Sequence, residues 1–350
     1  MPPSLDVIVA PSLDRWDLLG LELHWLEAIA ARQCAPVLLI YTMPGQLVSI
    51  GRYHPYRGPA ERAGVGASRR LTGGRVTGAG EGWLGVALIS PHRTALLPKR
   101  DAQLKPDQVM NRYARGILGS LRAIGLEGFY PGRDAITFQG REVAMCSFET
   151  DASGAMLFEA LLAVNRGMEE VAHDLDALDP EGSLTCPMYG RDEATTVARA
   201  LNRDAAIHEL AMPIARGYEG LLGAIRMREM TQSELAQGEQ RGRALAAAGW
   251  LNRLGRERAT DRFSRATSQL GAVEARVSLT AGATIERIAI TGDLIANSPG
   301  LTEFENEVIG KPLDLASVST AVMRVYGDGR NFILGIGELE NLARLVAQAQ

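Results

Sequence analysis

Residues 69–75 read Arg-Arg-Leu-Thr-Gly-Gly-Arg. Two adjacent guanidinium groups offer positive charge in a fork that matches carboxylate or phosphate oxygens, and the Gly73-Gly74 pair lets backbone N–H groups approach a ligand closely. The chemistry favoured by this combination is anion binding. The same residues also read as a plain turn between strands, with Arg69 and Arg70 in solvent.

A second stretch with chemical content is "RDAITFQGREVAMCSF", residues 133–148. Strand alternation would put Glu142, Ala144, Cys146 and Phe148 on one face, with Cys146 roughly 13 Å from Glu142 at ~3.3 Å per residue. On that reading Cys146 faces the same cavity as Glu142. A nucleophilic thiol needs a base or a positive charge to become thiolate, and no histidine lies nearby in sequence, so a small buried hydrophobe is the other reading. Only three of the 37 basic residues are lysines, Lys99, Lys105 and Lys311. Amine chemistry therefore has few candidates. Of the five histidines, His54 in "GRYHPY" alone stands beside a motif, as a loop residue at a cleft rim or as a catalytic group.

These groups need elements to position them. "DRWDLLGLELHWLEAIAAR" has Trp16, Leu19, Leu23, Leu26 and Ile29 at helical spacing behind Asp14 as N-cap. "PVLLIYTM" and "QLVSIGR", split by Pro44-Gly45, read as a hairpin. "WLGVALIS" reads as a strand, Pro106 opens a helix that ends at Gly125, and Gln139-Gly140 turns one strand back on the next. "AMLFEALLAVN" is a further strand, and helices dominate from about residue 192 to 248. The remainder reads as two strands joined around Ala281-Gly282, followed by helices at "LTEFENEVIG" and "GELENLARLVAQA". This repeated α+β pattern predicts a large domain over residues 1–235 and a small one over 245–350, joined through a helix ending near Ala248.

With 46% hydrophobic residues in 350 and a formal charge of -4, the chain can bury a proper core. Its mild negative charge argues against general nucleic-acid binding. No apolar run reaches the roughly 18 residues of a membrane span, and the first residues lack the pattern of a signal peptide, so a cytoplasmic protein is expected. Cys34, Cys146 and Cys186 lie far apart, which points to neither a zinc site nor a disulfide framework.

The order of "VSIGRYHPY", "RRLTGGRV" and "GRDAITFQGREVAMCSFETDASGAMLFEALLAVN", followed by an "ITGD" turn in the last third, resembles the lipoate-protein ligase A and octanoyltransferase family across nearly the whole chain. The resemblance implies a biotin/lipoate ligase-type mixed sheet with helices on one side, plus a small α+β accessory domain. It also implies acyl chemistry with lipoate and ATP, passing through an acyl-adenylate to a lysine of a lipoyl or acyl-carrier domain. Carried over position by position, it makes Arg69, Arg70, Thr72, Gly73, Gly74, Arg75 and Asp134 the ligand-binding set. The chain departs from the pattern at the reaction centre. Asp134 and Ala135 replace the family's asparagine and aspartate, Glu142 stands at its adenylate-binding lysine, Phe158-Glu159 at its histidine-glycine pair, and Arg75 at a third loop glycine. Arg141, beside Glu142, should point to the opposite strand face. Non-catalytic binding of an acyl-carrier protein, or transfer of a different acyl group, are the readings those departures leave open.

Overall fold

The computed structural model describes residues 4–97, 103–178, 193–254 and 261–349. The chain opens with β1 (Leu5–Ala10), α1 (Arg15–Ala30), β2 (Val37–Tyr41), β3 (Gln46–Ile50), β4 (Glu61–Arg62), β5 (Val65–Arg69), β6 (Thr77–Gly80) and β7 (Trp83–Ser90). It continues through α2 (Pro106–Ala123), β8 (Gly128–Phe129), β9 (Ala135–Phe138), β10 (Arg141–Thr150), β11 (Met156–Ala163) and α3 (Met168–Leu178). After α4 (Val197–Leu201) come α5 (Ile207–Leu222), β12 (Ile225–Met227) and α6 (Gln232–Ala247). The last third holds β13 (Arg262–Thr267), β14 (Ala272–Leu279), β15 (Ile285–Gly292), β16 (Ile295–Ala296), α7 (Ser298–Val308), α8 (Leu315–Tyr326), β17 (Ile333–Leu334) and α9 (Leu339–Ala347).

The main sheet has eight strands in the order β12-β1-β2-β7-β11-β10-β9-β8. Only the β12–β1 and β1–β2 pairings are parallel; the others are antiparallel. Alternation along the strands makes two apolar faces. Val7, Leu38, Val86 and Phe158 pack with α2 and α5 on one side, while Ile8, Leu39, Ala87 and Leu157 pack with α1 on the other. A second, four-stranded sheet, β4-β5-β3-β6, shares this latter side. Helices therefore cover both faces of the main sheet, where one helical side was expected.

The helix starts follow their sequence signals. Asp14 accepts from the Trp16 N–H, Pro106 is the first residue of α2, and Thr231 with Glu234 forms a capping box on α6. Gln139 and Gly140, at φ 50 and 79, make the tight turn expected between β9 and β10. The hairpin expected at Pro44-Gly45 does not form. β2 pairs with β1 and β7, β3 lies between β5 and β6, and the turn carries the chain from one sheet to the other. Both runs are buried, so stacking two sheets covers more apolar surface than one exposed ribbon would.

α6 ends at Ala247, and Gly249 in the left-handed region leads into a 3-10 turn over Trp250–Asn252. Beyond it, β13, β14 and β15 form a sheet whose apolar face packs on α7, α8 and α9; α8 was not anticipated. The two cores exchange residues. Tyr53 is buried among Leu294, Ala296 and Phe304, and Phe332 stacks on Phe148 with ring centroids 4.6 Å apart. Among the described residues no helix is long and apolar enough to cross a membrane.

Candidate functional site

β5 runs beside β3 and β6 returns on its other edge, so residues 70–76 must cross over the end of β3. This crossing is the arginine-glycine loop. None of its three arginines is in solvent. Arg69 donates from Nε to the Leu251 carbonyl at 2.8 Å and from Nη1 to the carbonyls of Gly51 (3.0 Å), Arg52 (3.1 Å) and His54 (2.7 Å). These partners are neutral, so burial is not repaid by opposite charge and pulls its pKa down to about 9, helped by Arg253, Arg70 and Arg52. Arg70 donates to the Ser49 carbonyl and hydroxyl at 2.9 and 3.0 Å, and to the carbonyls of Gly73 and Arg75 at 2.9 and 2.8 Å. Both side chains bind the loop's own frame, which neither sequence reading had foreseen.

Arg75 turns the other way. Its Nε and Nη2 hold the two oxygens of Asp134 at 2.7 and 2.9 Å, and Nη2 also reaches Glu142 Oε2 at 2.9 Å. All three groups are buried. The carboxylate that should have repelled a ligand anion thus shares a single guanidinium with Asp134.

Glu142 reaches Arg75 because β10 bulges. Its pairing with β9 slips between Glu142 and Ala144, placing one extra residue in the strand and reversing the alternation beyond it. Glu142 therefore shares a side with Ser147, whose hydroxyl donates to the Gly73 carbonyl at 3.0 Å. Cys146 goes to the opposite side, packed with Ala144 and Phe148 in the core under α2 and α5. The expectation that Cys146 and Glu142 face one cavity is corrected by this one-residue slip. Burial, with Asp134 and Glu142 adding to it, pushes the Cys146 thiol far above its ordinary range. Arg141 is half-buried at the start of the strand, opposite Phe138.

A second cluster lies on the other flank of the loop. The Thr72 hydroxyl donates to Glu159, a buried β11 residue near Arg70 and next to Glu22 of α1. Glu22 is completely buried, and burial together with Glu159 pushes its carboxyl well above the usual range. Its neutral form is thereby favoured. Tyr41 adjoins the same charges, and its hydroxyl is pushed up by burial, then by Glu159 and Glu22. Glu22 was missed in the sequence although a signal was present. It interrupts the apolar stripe Leu18, Leu19, Trp25, Leu26 and Ile29 that α1 buries.

The C-terminal part closes the loop from above. The Gly74 N–H donates to the Leu294 carbonyl at 2.7 Å, Gly74 sits at φ 89, and a Cβ on Gly73 would lie 2.3 Å from the same oxygen. Glycine at these positions serves this close contact between chain segments. Beside it, Gly292 N–H donates to the Tyr53 carbonyl at 2.9 Å and His54 Nε2 lies 2.9 Å from Asp293 Oδ1, so His54 is buried at the junction and not at a rim. Glu149 of β10 accepts from the Ser298 N–H at the start of α7 (2.7 Å) and from the Tyr53 hydroxyl (3.2 Å). Burial raises its pKa to about 7, against the lowering effect of Arg52. Of the lysines, Lys105 is exposed at the start of α2, Lys311 pairs with Glu307, and Lys99 lies outside the described residues, as does Cys186.

A cavity of about 610 Å³ opens where β1 and β2 end. Val9, Ile40, Met43, Leu84, Ile207 and Ala211 line it, with Thr42, Glu81, Asn165 and His208 also in its wall. Tyr41 lines it too.

No family model matches the sequence, and no curated protein matches it. Solved structures do match the fold. P. falciparum LipL1 in complex with lipoate superposes with a TM-score of 0.71 at 13% identity, covering 99% of this chain and 100% of that one. The bipartite lipoate-protein ligase of Thermoplasma acidophilum, studied with its E2 lipoyl domain, gives 0.51 at 17% identity over 74% of this chain and 99% of that one. Lipoate-protein ligase A bound with ATP gives 0.50 at 18% identity over 73% and 99%. The chain has the fold of the lipoate-protein ligases.

Proposed function

We propose that this chain is a lipoyl-type acyl-binding protein that engages a lipoyl or acyl-carrier domain and does not join lipoate to it with ATP. One observation carries the reading: the Arg75–Asp134–Glu142 cluster stands where the resemblance puts the adenylate-binding lysine. An incoming phosphate there meets two carboxylates and one guanidinium that is already engaged by both. Preorganised positive donors are usually the largest catalytic contribution, and losing one costs roughly 100- to 1000-fold in rate. A transferase would need a nucleophile in reach, and Cys146 points into the opposite core. Arg69, Arg70, Thr72, Gly73, Gly74, Arg75 and Asp134 form the frame of the binding region in this proposal, with residues 1–235 as the binding domain and 245–350 as its accessory cover.

Two neighbours of the fold are described with lipoate and with ATP, and a third with its lipoyl domain, which makes lipoate the acyl group to try first and a lipoyl domain the partner. The test is a lipoylation assay with ATP, lipoate and a lipoyl domain, read by mass, beside a binding assay for the domain alone. No modified domain is expected, with measurable binding. Robust turnover by the unaltered protein would overturn the proposal and assign the phosphate-binding role to another group.

A further inference from the structure

Of the contacts that hold the C-terminal part over the arginine-glycine loop, one depends on where a hydrogen sits. The Tyr53 hydroxyl carries a single hydrogen and has two acceptors in reach: the Ala296 carbonyl at 3.0 Å, in the C-terminal part, and Glu149 Oε2 at 3.2 Å, in β10. Tyr53 and Glu149 are both buried. With Glu149 protonated the set is complete. The carboxyl donates to the Tyr53 oxygen, Tyr53 donates to Ala296, and Glu149 Oε1 accepts from the Ser298 N–H of α7 at 2.7 Å. With Glu149 ionised the one hydrogen serves the carboxylate, and the Ala296 carbonyl loses the donation from Tyr53. Cations near Glu149 do not take the place of that hydrogen. Arg52 Nε stands 3.8 Å from Oε2, outside hydrogen-bond distance, and its Nη1 is committed to the Leu71 carbonyl. Arg253, beyond α6, also faces Glu149 and Tyr53 but is shared with Glu305 of α7, and the His54–Asp293 pair crosses the junction alongside. Burial outweighs Arg52 and raises the Glu149 carboxyl to about 7.

We propose that Glu149 and Tyr53 form a proton-operated latch that holds the C-terminal cover on the arginine-glycine loop while Glu149 is neutral and releases it when Glu149 ionises. The latch governs when the loop can be reached, and it stands whether or not the acyl-binding reading does. A carboxyl at about 7 in the closed form and near 4.5 when exposed supports closure fully below 4.5 and loses that support as pH rises to 7. The opening equilibrium should therefore grow by up to about tenfold per pH unit across that window and level off above it.

Hydrogen exchange read by mass spectrometry at pH 5 and pH 8 tests this on the unaltered protein, on Glu149→Gln and on Tyr53→Phe. Comparing two proteins at one pH removes the direct effect of pH on exchange. Peptides containing Gly74 and Gly292, whose N–H groups bond across the junction, report the cover, and peptides from β7 and β11 report the main sheet. Glu149→Gln keeps a neutral side chain of the same shape. The ratio of junction rates, unaltered over Glu149→Gln, should widen by about tenfold or more from pH 5 to pH 8, while β7 and β11 remain better protected than the junction. Tyr53→Phe breaks the relay and should open the junction about tenfold faster than the unaltered protein already at pH 5. An equal ratio at both pH values, or a Tyr53→Phe junction as closed as the unaltered one, overturns the latch. So does exchange of β7 and β11 at the junction's rate, because the cover then has no opening of its own. Protection of the junction, corrected for intrinsic rates, must also fall in the unaltered protein between pH 5 and pH 8; constant protection overturns the latch even where a variant fails to fold.

Discussion

The two flanks of the arginine-glycine loop solve the same problem in different ways. On one flank Asp134 and Glu142 share Arg75, which gives each a direct hydrogen bond. On the other, burial raises both Glu22 and Glu159 although Arg70 lies near them, and the neutral form of Glu22 is favoured. Two buried acids can be held by an opposite charge or by a shared hydrogen, and the choice sets how each flank responds to substitution and to pH. The first flank is strong but brittle, because Arg75 serves both of its carboxylates. The second yields gradually as protons leave.

The largest effect should therefore follow loss of Arg75. Arg75→Ala strands two buried carboxylates and is expected to cost about 3–5 kcal/mol in denaturant unfolding, with much of it recovered when Asp134→Asn and Glu142→Gln are added. A cost below about 1 kcal/mol would show that this flank is wetter and looser than its hydrogen bonds indicate.

Next in size is the pH response. Glu149 and Glu305 are both raised to about 7 and Glu22 is raised as well, with burial the first cause in each. A carboxyl whose folded pKa lies above its unfolded value stabilises fully below the unfolded value, near 4.5, and loses that contribution as pH rises through the folded value. Stability should fall between pH 4.5 and 7, and Glu149→Gln should remove roughly 3 kcal/mol of that fall at about 1.4 kcal/mol per pKa unit. Melting curves across that range decide it; a fall of unchanged size in Glu149→Gln would mean that Arg52 keeps the carboxylate ionised throughout.

The smallest effect belongs to Cys146. On the helix-packed face it is a small apolar filler, so Cys146→Ala should cost about 1 kcal/mol and leave acyl binding untouched. A loss of binding would return the thiol to the functional side and contradict the bulge in β10.

Much of the architecture was legible because local chemistry and periodicity agree with it. Asp14, Pro106 and Gln139-Gly140 mark their boundaries correctly, and the strand at 83–90 and the long pair at 141–163 stand where apolar runs put them. The failures occurred where one residue decides a geometry that no local signal announces. A slip near Val143 moved Cys146 to the far side of the sheet, and Pro44-Gly45 turns the chain between sheets with the same residues that would close a hairpin. The arginine loop was recognised as special, but sequence offers no way to know that its guanidinium groups would be consumed by carbonyls of residues 49–54 and 251. Glu159 was noticed as a departure from a family pattern; its partner Glu22 lies more than a hundred residues away, and only the packing of α1 on β11 brings the two together.

Tyr53 carries a consequence for how the chain is made. Its ring completes a core built almost wholly from residues after 270, and its hydroxyl donates to the Ala296 carbonyl. A chain leaving the ribosome exposes this tyrosine long before its neighbours exist, and contacts of such sequence separation close late and at high loop-entropy cost. The first two hundred residues can collapse early, yet Tyr53 and the His54 ring must wait for Gly292, Asp293 and Ala296 in the last part of the chain. Synthesis of a truncated chain ending before residue 270 should yield a compact but sticky species whose arginine-glycine loop lacks its cover.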